Sequence, residues 1–512
     1  MFLSGKNAAI AQLVERQLPK LKVAGSSPVC RSNCTITEKS FEFLFFMAAV
    51  AILCVMFVGF FLVSTEKINK MNKAAVAMFT GVLCWMIYIA YGSQFLVAEH
   101  QVDFLSYLSA YGIDGASVKG YIAEYIFLSY AFRAAEVVLF LLAVMTIVEV
   151  LNNNGCFDFI HEWLRTNKPR RFLWVLALVT FLVSANIDNL ITVCLMLPIM
   201  HSMIASPKQR MIFGSVIVIA ANLGGSISVI GDVSSLSLWI EDLVTPTNYS
   251  MLLAAPCITV FVTFVLLIQR TLPSRLSLSQ VVLPYRGDDT VFTRWQRLLL
   301  LFVGLGGLWF IPSFHRITAL PPFVGALCVL ALLWIVNELC NRSLLSSDQM
   351  VKKRSPIALQ YANIQNMLFY IGLTLTLGAV TETGVFEKLF TWLFYDLKSD
   401  VYIVGAIVGL VSAVVNNVVA LLANISLFSG DFVQLHPDIA SRFAVDGSYW
   451  PFISFASSLG GSLFCVGTFS GFVLMRMEEV SLKWYFRHIT PKVLVGWLLG
   501  MLVFYVTVEW IY

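Results

Sequence analysis

Charge is what this sequence has least of. Only 12% of its 512 residues are Asp, Glu, Lys or Arg, about half the share of a soluble domain. With 58% hydrophobic residues and a mean hydropathy of +0.81, that scarcity excludes a soluble enzyme, a disordered chain and a nucleic-acid binder. Histidine is sparse too: the six present lie near loops, without metal-ligand spacing. A disulfide framework is also missing. Of ten cysteines, Cys54, Cys84, Cys194, Cys257, Cys328 and Cys465 sit inside apolar runs and read as small buried hydrophobes. The net charge of +4 does not point to nucleic acid, because Lys and Arg occupy loops between those runs.

Residues 1–42 stand apart, with six Lys and Arg and little apolar sequence. They lack the order of basic start, apolar core and small-residue cleavage site that a signal peptide needs. A lone C-x3-C at Cys30 and Cys34 is short of the four ligands of a zinc site. Residues 1–46 read as a disordered or mis-annotated extension, with Met47 a plausible start.

What is present is a series of long apolar runs, the mark of a polytopic membrane protein bathed in lipid. Ten spans can be drawn: 43–64, 74–92, 121–150, 211–240, 250–269, 298–313, 320–338, 362–380, 450–475 and 491–511. Two more apolar stretches, 172–200 and 400–428, carry polar centres. If each is a re-entrant hairpin, the loops on one side hold 22 Lys and Arg. The opposite loops hold five: Lys119, Arg316, Lys388, Lys398 and Arg442. The positive-inside rule places the first set in the cytoplasm. Crossing stretches would cancel that bias, so hairpins are expected.

The chain also repeats itself. SANIDN (Ser184 to Asn189) matches SAVVNN (Ser412 to Asn417), 228 residues later. GGSISVIG (Gly224 to Gly231) matches GGSLFCVG (Gly460 to Gly467), and NNNGCFDFI matches TETGVFEKL upstream of each pair. With hairpins entering from opposite sides, the halves become inverted repeats, an arrangement of secondary transporters that bind substrate near the midplane. The expected fold is therefore all-α, with about ten transmembrane helices and two hairpins. The expected divisions are a first repeat over 47–269, a basic cytoplasmic linker over 270–297 and a second repeat over 298–512. Gly224, Gly225, Gly231, Gly460, Gly461 and Gly467 are expected to supply the permissive dihedrals of broken helices. The competing reading is that such small residues only let helices pack closely.

Ionisable residues at membrane depth are costly and point to function. They are Arg133, Glu136 and Glu149 in the long third span, Asp188 in the first hairpin and Asp232 after the first GGS. Arg133 and Glu136 are three apart and can neutralise each other. For Glu149 the competing reading is a solvated helix end. Around the aspartates stand Asn189, Asn222, Ser234 and Ser235, with Ser412, Asn416, Asn417 and Ser462 from the other repeat. Such oxygen-rich, acidic sets suit hard cations such as Na⁺. An anion would want more than the single deep Arg133. An intramembrane hydrolase would need a nucleophile with its base or a metal cluster, and no histidine lies deep enough.

SANIDNL, AANLGGSISVIGDVSSLSLW, TIVEVLNNNGCF, GLVSAVVNNV and GGSLFCVG resemble the NhaD-type sodium/proton antiporters of the ion-transporter superfamily, over about residues 47–512. The resemblance implies scaffold and transport domains. It implies Na⁺, often Li⁺, leaving against entering H⁺ in a multi-pass protein of the cytoplasmic (inner) membrane, with no other cofactor and no enzymatic reaction. A homodimer is expected. Ser184, Asp188, Asn189, Asn222, Asp232 and Ser234 match functional positions of the first half, with Na⁺ at Asp188 and its neighbours. Ser412, Asn417 and Ser462 match those of the second, and Glu149 matches an acidic position. Asn416 departs from the family's second SAxxDN, removing one proton carrier. A transporter of the same fold for a dicarboxylate or arsenite is the alternative.

Overall fold

A computed structural model describes residues 30–69, 71–111, 118–273, 275–278, 292–341, 357–397, 400–428 and 441–510. The described residues are mostly helical, and their β-structure is confined to an isolated bridge between Ile204 and Leu278. The main helices are α1 (Cys30–Ser64), α2 (Lys73–Ala90), α3 (Val118–Asn153), α4 (Pro169–Ser184), α5 (Asn189–Met203), α6 (Pro207–Ile227), α7 (Val233–Ile240) and α8 (Pro246–Gln269). They continue with α9 (Arg294–Thr318), α10 (Pro322–Asn341), α11 (Ile357–Thr381), α12 (Val401–Val415), α13 (Asn417–Leu427), α14 (Tyr449–Gly461), α15 (Phe469–Met477) and α16 (Thr490–Trp510). Among the described residues, nine helices are long and apolar enough to cross a bilayer. The chain is a multi-pass membrane protein.

The ninth span drawn from sequence, 450–475, is interrupted. α14 stops at Gly461 and α15 starts at Phe469. The run 211–240 is broken in the same way between α6 and α7. Apolar content continues through both breaks, so hydropathy alone does not reveal them. The first span, Phe43–Ser64, is as read, and its helix α1 extends back to Cys30. Side chains of residues 30–42, including Cys30 and Cys34, and all of residues 1–29 lie outside the described set. So do 274 and 279–291 of the basic linker. Cys54 and Cys328 are exposed, whereas Cys84, Cys194, Cys257 and Cys465 are buried as expected.

Both polar-centred stretches form helix–turn–helix hairpins. α5 and α12 have 15 residues each and α13 has 11. At 1.5 Å per residue even α4, the longest arm with 16 residues, reaches only roughly 24 Å, less than the ≈30 Å hydrocarbon core. The breaks follow local chemistry. Pro169, Pro207 and Pro246 occupy first-turn positions of α4, α6 and α8, where a missing N–H costs nothing. Asp188 and Asp232 cap α5 and α7, and Thr468 caps α15.

Packing divides the chain into two compact units. One comprises Met1–Ala134, Leu368–Trp392 and Ser426–Phe428; the other comprises Ala135–Met367, Leu393–Ile425 and Ser429–Tyr512. In the first, α1 packs on α2, and the Trp85 Nε1–H donates to the Leu375 carbonyl at 2.8 Å. The second contains both hairpins and both broken helices. There α4 and α5 pack on α6, and α12 packs on α14.

The motif glycines act through closeness. Among described glycines, positive φ occurs at Gly155 and Gly384, the repeat-related turns after α3 and α11. The six glycines of the GGS motifs are not among them, so the expectation of permissive dihedrals is corrected. A Cβ on Gly224 would strike the Phe181 carbonyl, and one on Gly460 would strike the Gly409 carbonyl. Gly225 faces Gly231, and Gly461 faces Gly467, backbone to backbone. Each hairpin thus presses directly onto its broken helix.

Candidate functional site

The site is assembled from the hairpin turns and the two helix breaks, all within the second unit. Each turn is stitched to its break by the same bonds. The Asn189 N–H donates to the Gly231 carbonyl at 3.0 Å, and the Asn417 N–H to the Gly467 carbonyl at 3.1 Å. The Ser184 hydroxyl donates to Ala221 O at 2.6 Å, and the Ser412 hydroxyl to Ser457 O at 2.7 Å. These two serines hold backbone together; their hydroxyl hydrogens are not aimed at a ligand. The repeats found in sequence are therefore repeats in space.

Asp188 and Asp232 are both 3% exposed. Asp188 Oδ1 accepts the Leu190 and Ile191 N–H groups at 2.9 and 3.2 Å, capping α5. Its Oδ2 is buried and has no hydrogen-bond partner. Two hydroxyls are in the same condition, Thr192 Oγ1 and Ser234 Oγ. Thr192 lies four residues after Asp188, and Ser234 two after Asp232. Buried oxygens without partners are costly, and such oxygens are what a dehydrated cation requires.

Asp232 joins the repeats. Its Oδ2 accepts from Asn417 Nδ2 and from the Ser458 hydroxyl, each at 3.2 Å. Asn222 is the mirror of this arrangement. Asn222 Nδ2 donates to Ser462 Oγ at 2.8 Å, while its Oδ1 accepts from Asn189 Nδ2 at 3.2 Å and from the Ser470 hydroxyl at 2.8 Å. Thr468 Oγ1 is 3.5 Å from Asn222 Nδ2. In repeat terms, Asp232 pairs with Ser458 as Thr468 pairs with Asn222. Both carboxylates belong to the first repeat, and the second offers Asn416 and Thr468 in their places. Asn416 Oδ1 caps α13 through the Val418 N–H at 3.0 Å, at a φ of 123°.

The structure thus brings together Asp188, Asn189, Asn222, Asp232, Ser234, Asn416, Asn417 and Ser462, with Ser184 and Ser412 beneath them. Glu149 is half-buried on α3, outside the set these bonds join. Arg133 is exposed, its guanidinium 5.8 Å from the Tyr130 ring. Thr192, Ser458, Thr468 and Ser470 were missed from sequence. A repeat alignment carries the signal for three of them: ASSLGGS against AANLGGS aligns Ser458 with Asn222, and GT against GD aligns Thr468 with Asp232. Thr192 lies one helical turn from Asp188. The same alignment, GTFS against GDVS, places Ser470 on Ser234.

Among the described residues no group of three or more His, Cys, Asp or Glu could hold a metal ion. The donor set is two carboxylates with hydroxyl and amide oxygens, suited to an alkali cation and unsuited to zinc-like ions. Away from it, in the first unit, His100 Nε2 meets Glu382 Oε2 at 2.5 Å, and the Tyr130 hydroxyl donates to Glu382 Oε1 at 2.8 Å. That bond to Glu382 holds the His100 imidazole above its ordinary pKa of 6.5.

A family model described as citrate transporter (CitMHS) matches residues 60–341. The chain is 30% identical over 379 residues to "Sodium/proton antiporter 1" of Arabidopsis thaliana, covering 72% of this chain and 61% of that protein. It is 28% identical over 373 residues to "Sodium/proton antiporter 2" of the same plant, covering 73% and 85%. It is 26% identical over 406 residues to the "Na(+)/H(+) antiporter NhaD" of Vibrio cholerae, covering 72% and 77%.

Proposed function

Because the chain belongs to the citrate transporter (CitMHS) family, we propose that it is a secondary transporter, and that its cargo is Na⁺ exchanged for H⁺. The names of its antiporter relatives support this reading. The observation that carries it is the Asp188 Oδ2 oxygen, buried without a partner, as are the Thr192 and Ser234 hydroxyls. A carboxylate with neutral oxygens is a cation's coordination shell. An ionised carboxylate buried without a counter-ion is costly, so when Na⁺ leaves, Asp188 takes up a proton. Competition of the two ions for one oxygen couples their movements. Asp232 is already held by Asn417 and Ser458. It adds negative potential and fixes the two repeats around the cargo.

The chemistry requires no enzymatic step and no cofactor beyond the transported ions. The working location is the cytoplasmic (inner) membrane, where sodium extrusion serves pH homeostasis. The family description favours a second reading, transport of an anion such as citrate. Two buried carboxylates would repel that cargo, so the cation reading is preferred. Dequenching of a pH-sensitive dye in everted vesicles separates them. Exchange predicts a response to Na⁺ salts whatever the anion. A response that requires citrate and not Na⁺ would overturn the cation reading.

A further inference from the structure

Three local costs meet at Glu478. It is the C-cap of α15, where the helix dipole disfavours negative charge. Its side chain is 1% exposed, and burying a carboxylate is expensive unless it is paired. The next residue, Glu479, has a φ of 51°, a conformation uncommon for a residue with a Cβ. Local conflicts of this kind persist where function uses them.

The carboxylate is gripped from two sides. His201 Nδ1 lies 2.7 Å from Oε1, and the Arg210 Nε–H donates to Oε2 at 2.8 Å. Arg210 also donates to the carbonyls of Ile204 and Ala205, each at 3.4 Å. His201 is in the last turn of α5, whose first turn is capped by Asp188. Arg210 is in the first turn of α6, which carries Asn222 further along. Glu478 closes α15, whose cap at the other end is Thr468. One carboxylate therefore ties together the far ends of three helices that build the site. The fold does not demand it in both repeats. At the matching helix end of the first repeat, Glu241 also closes its helix and is also followed by a positive-φ residue, Asp242, yet it is only half-buried.

We propose that Glu478 is a positioning residue for cation binding: with His201 and Arg210 it sets the spacing of α5, α6 and α15, and so the affinity of the oxygen cage around Asp188. The inference rests on the Na⁺/H⁺ reading of that cage. Outer partners of a metal site are commonly worth 10–100-fold in affinity. Glu478→Gln is therefore expected to raise the half-saturating Na⁺ concentration by roughly tenfold, with the maximal rate per folded transporter retained. Glu478→Asp should recover part of the loss. His201→Gln, at a side chain 46% exposed, gives a milder variant that does not threaten folding and should move the same parameter less. Asp158→Asn breaks another ion pair, with Arg297, remote in sequence from the cage; it should leave half-saturation unchanged.

The experiment is Na⁺-dependent proton movement in proteoliposomes containing equal amounts of each full-length protein. A raised half-saturation in Glu478→Gln and His201→Gln, absent in Asp158→Asn, supports the clamp. Unchanged half-saturation in His201→Gln and Glu478→Asp overturns it, as does an equal rise in Asp158→Asn. If the unsubstituted protein shows no Na⁺-dependent exchange, the functional reading falls and the clamp with it.

Discussion

At Asp188 the two carboxylate oxygens have different tasks. One caps α5, and the other is buried without a partner. That division lets a residue be fixed in place by one atom while the other exchanges ligands. Thr192, whose hydroxyl is equally unpartnered, should contribute to the same cage. Thr192→Val keeps the shape and removes the oxygen. It should raise the half-saturating Na⁺ concentration by roughly tenfold while leaving thermal stability unchanged or improved, because an unsatisfied buried hydroxyl is lost. Flux titrations and thermal unfolding of the same preparation check both halves. Asn416 carries a different burden, a φ of 123° together with the α13 cap. Asn416→Ala loses the cap and forces the strained backbone, costing about 1–3 kcal/mol. Asn416→Gly loses the cap alone and should unfold at a temperature between the two.

Between helices, the hairpins were readable from sequence because polar residues interrupt apolar runs at Asn186 and Asp188, and at Asn416 and Asn417. The breaks at 228–232 and 462–468 were not read in full, since the residues there are small and apolar enough to pass for span. The GGS glycines marked the place while suggesting the wrong mechanism: the backbone needs closeness there, and its φ values are ordinary. Hydrogen bonds between distant segments, such as His100 to Glu382, leave no sequence signal. That pair yields a signed prediction. Its imidazole pKa is raised in the folded protein, so the stabilisation is complete below the unfolded imidazole's value and is lost as pH rises through the folded one. Hydrogen exchange around residues 99–105 should accelerate beyond its intrinsic increase as pH rises above the unfolded imidazole's ordinary 6.5. His100→Gln should abolish that excess.

For the whole molecule, the repeats make the strongest link between sequence and structure. Matched segments 228 residues apart in the hairpins and 236 apart in the helix breaks form matched hydrogen bonds. Inversion of the halves across the bilayer is what the loop charge predicts, and labelling tests it. Cysteines at 168 and 209 flank the first hairpin and should both react from the cytoplasm, while one at 397 should react only from outside. Reaction of 168 and 209 from opposite faces would mean that the hairpin crosses and that the halves are not inverted. Both carboxylates of the site come from one repeat. A single charged centre, framed by neutral oxygens from the other repeat, is expected to move the cargo, with Asp188 proposed as its exchangeable group. The most direct test places purified protein and its Asp188→Asn variant in proteoliposomes and follows internal pH when an outward Na⁺ gradient is imposed. Protons should enter as Na⁺ leaves in the unsubstituted protein. The variant, inserted and folded to the same extent, should move neither ion. Normal exchange by Asp188→Asn would contradict the assignment of the ion site.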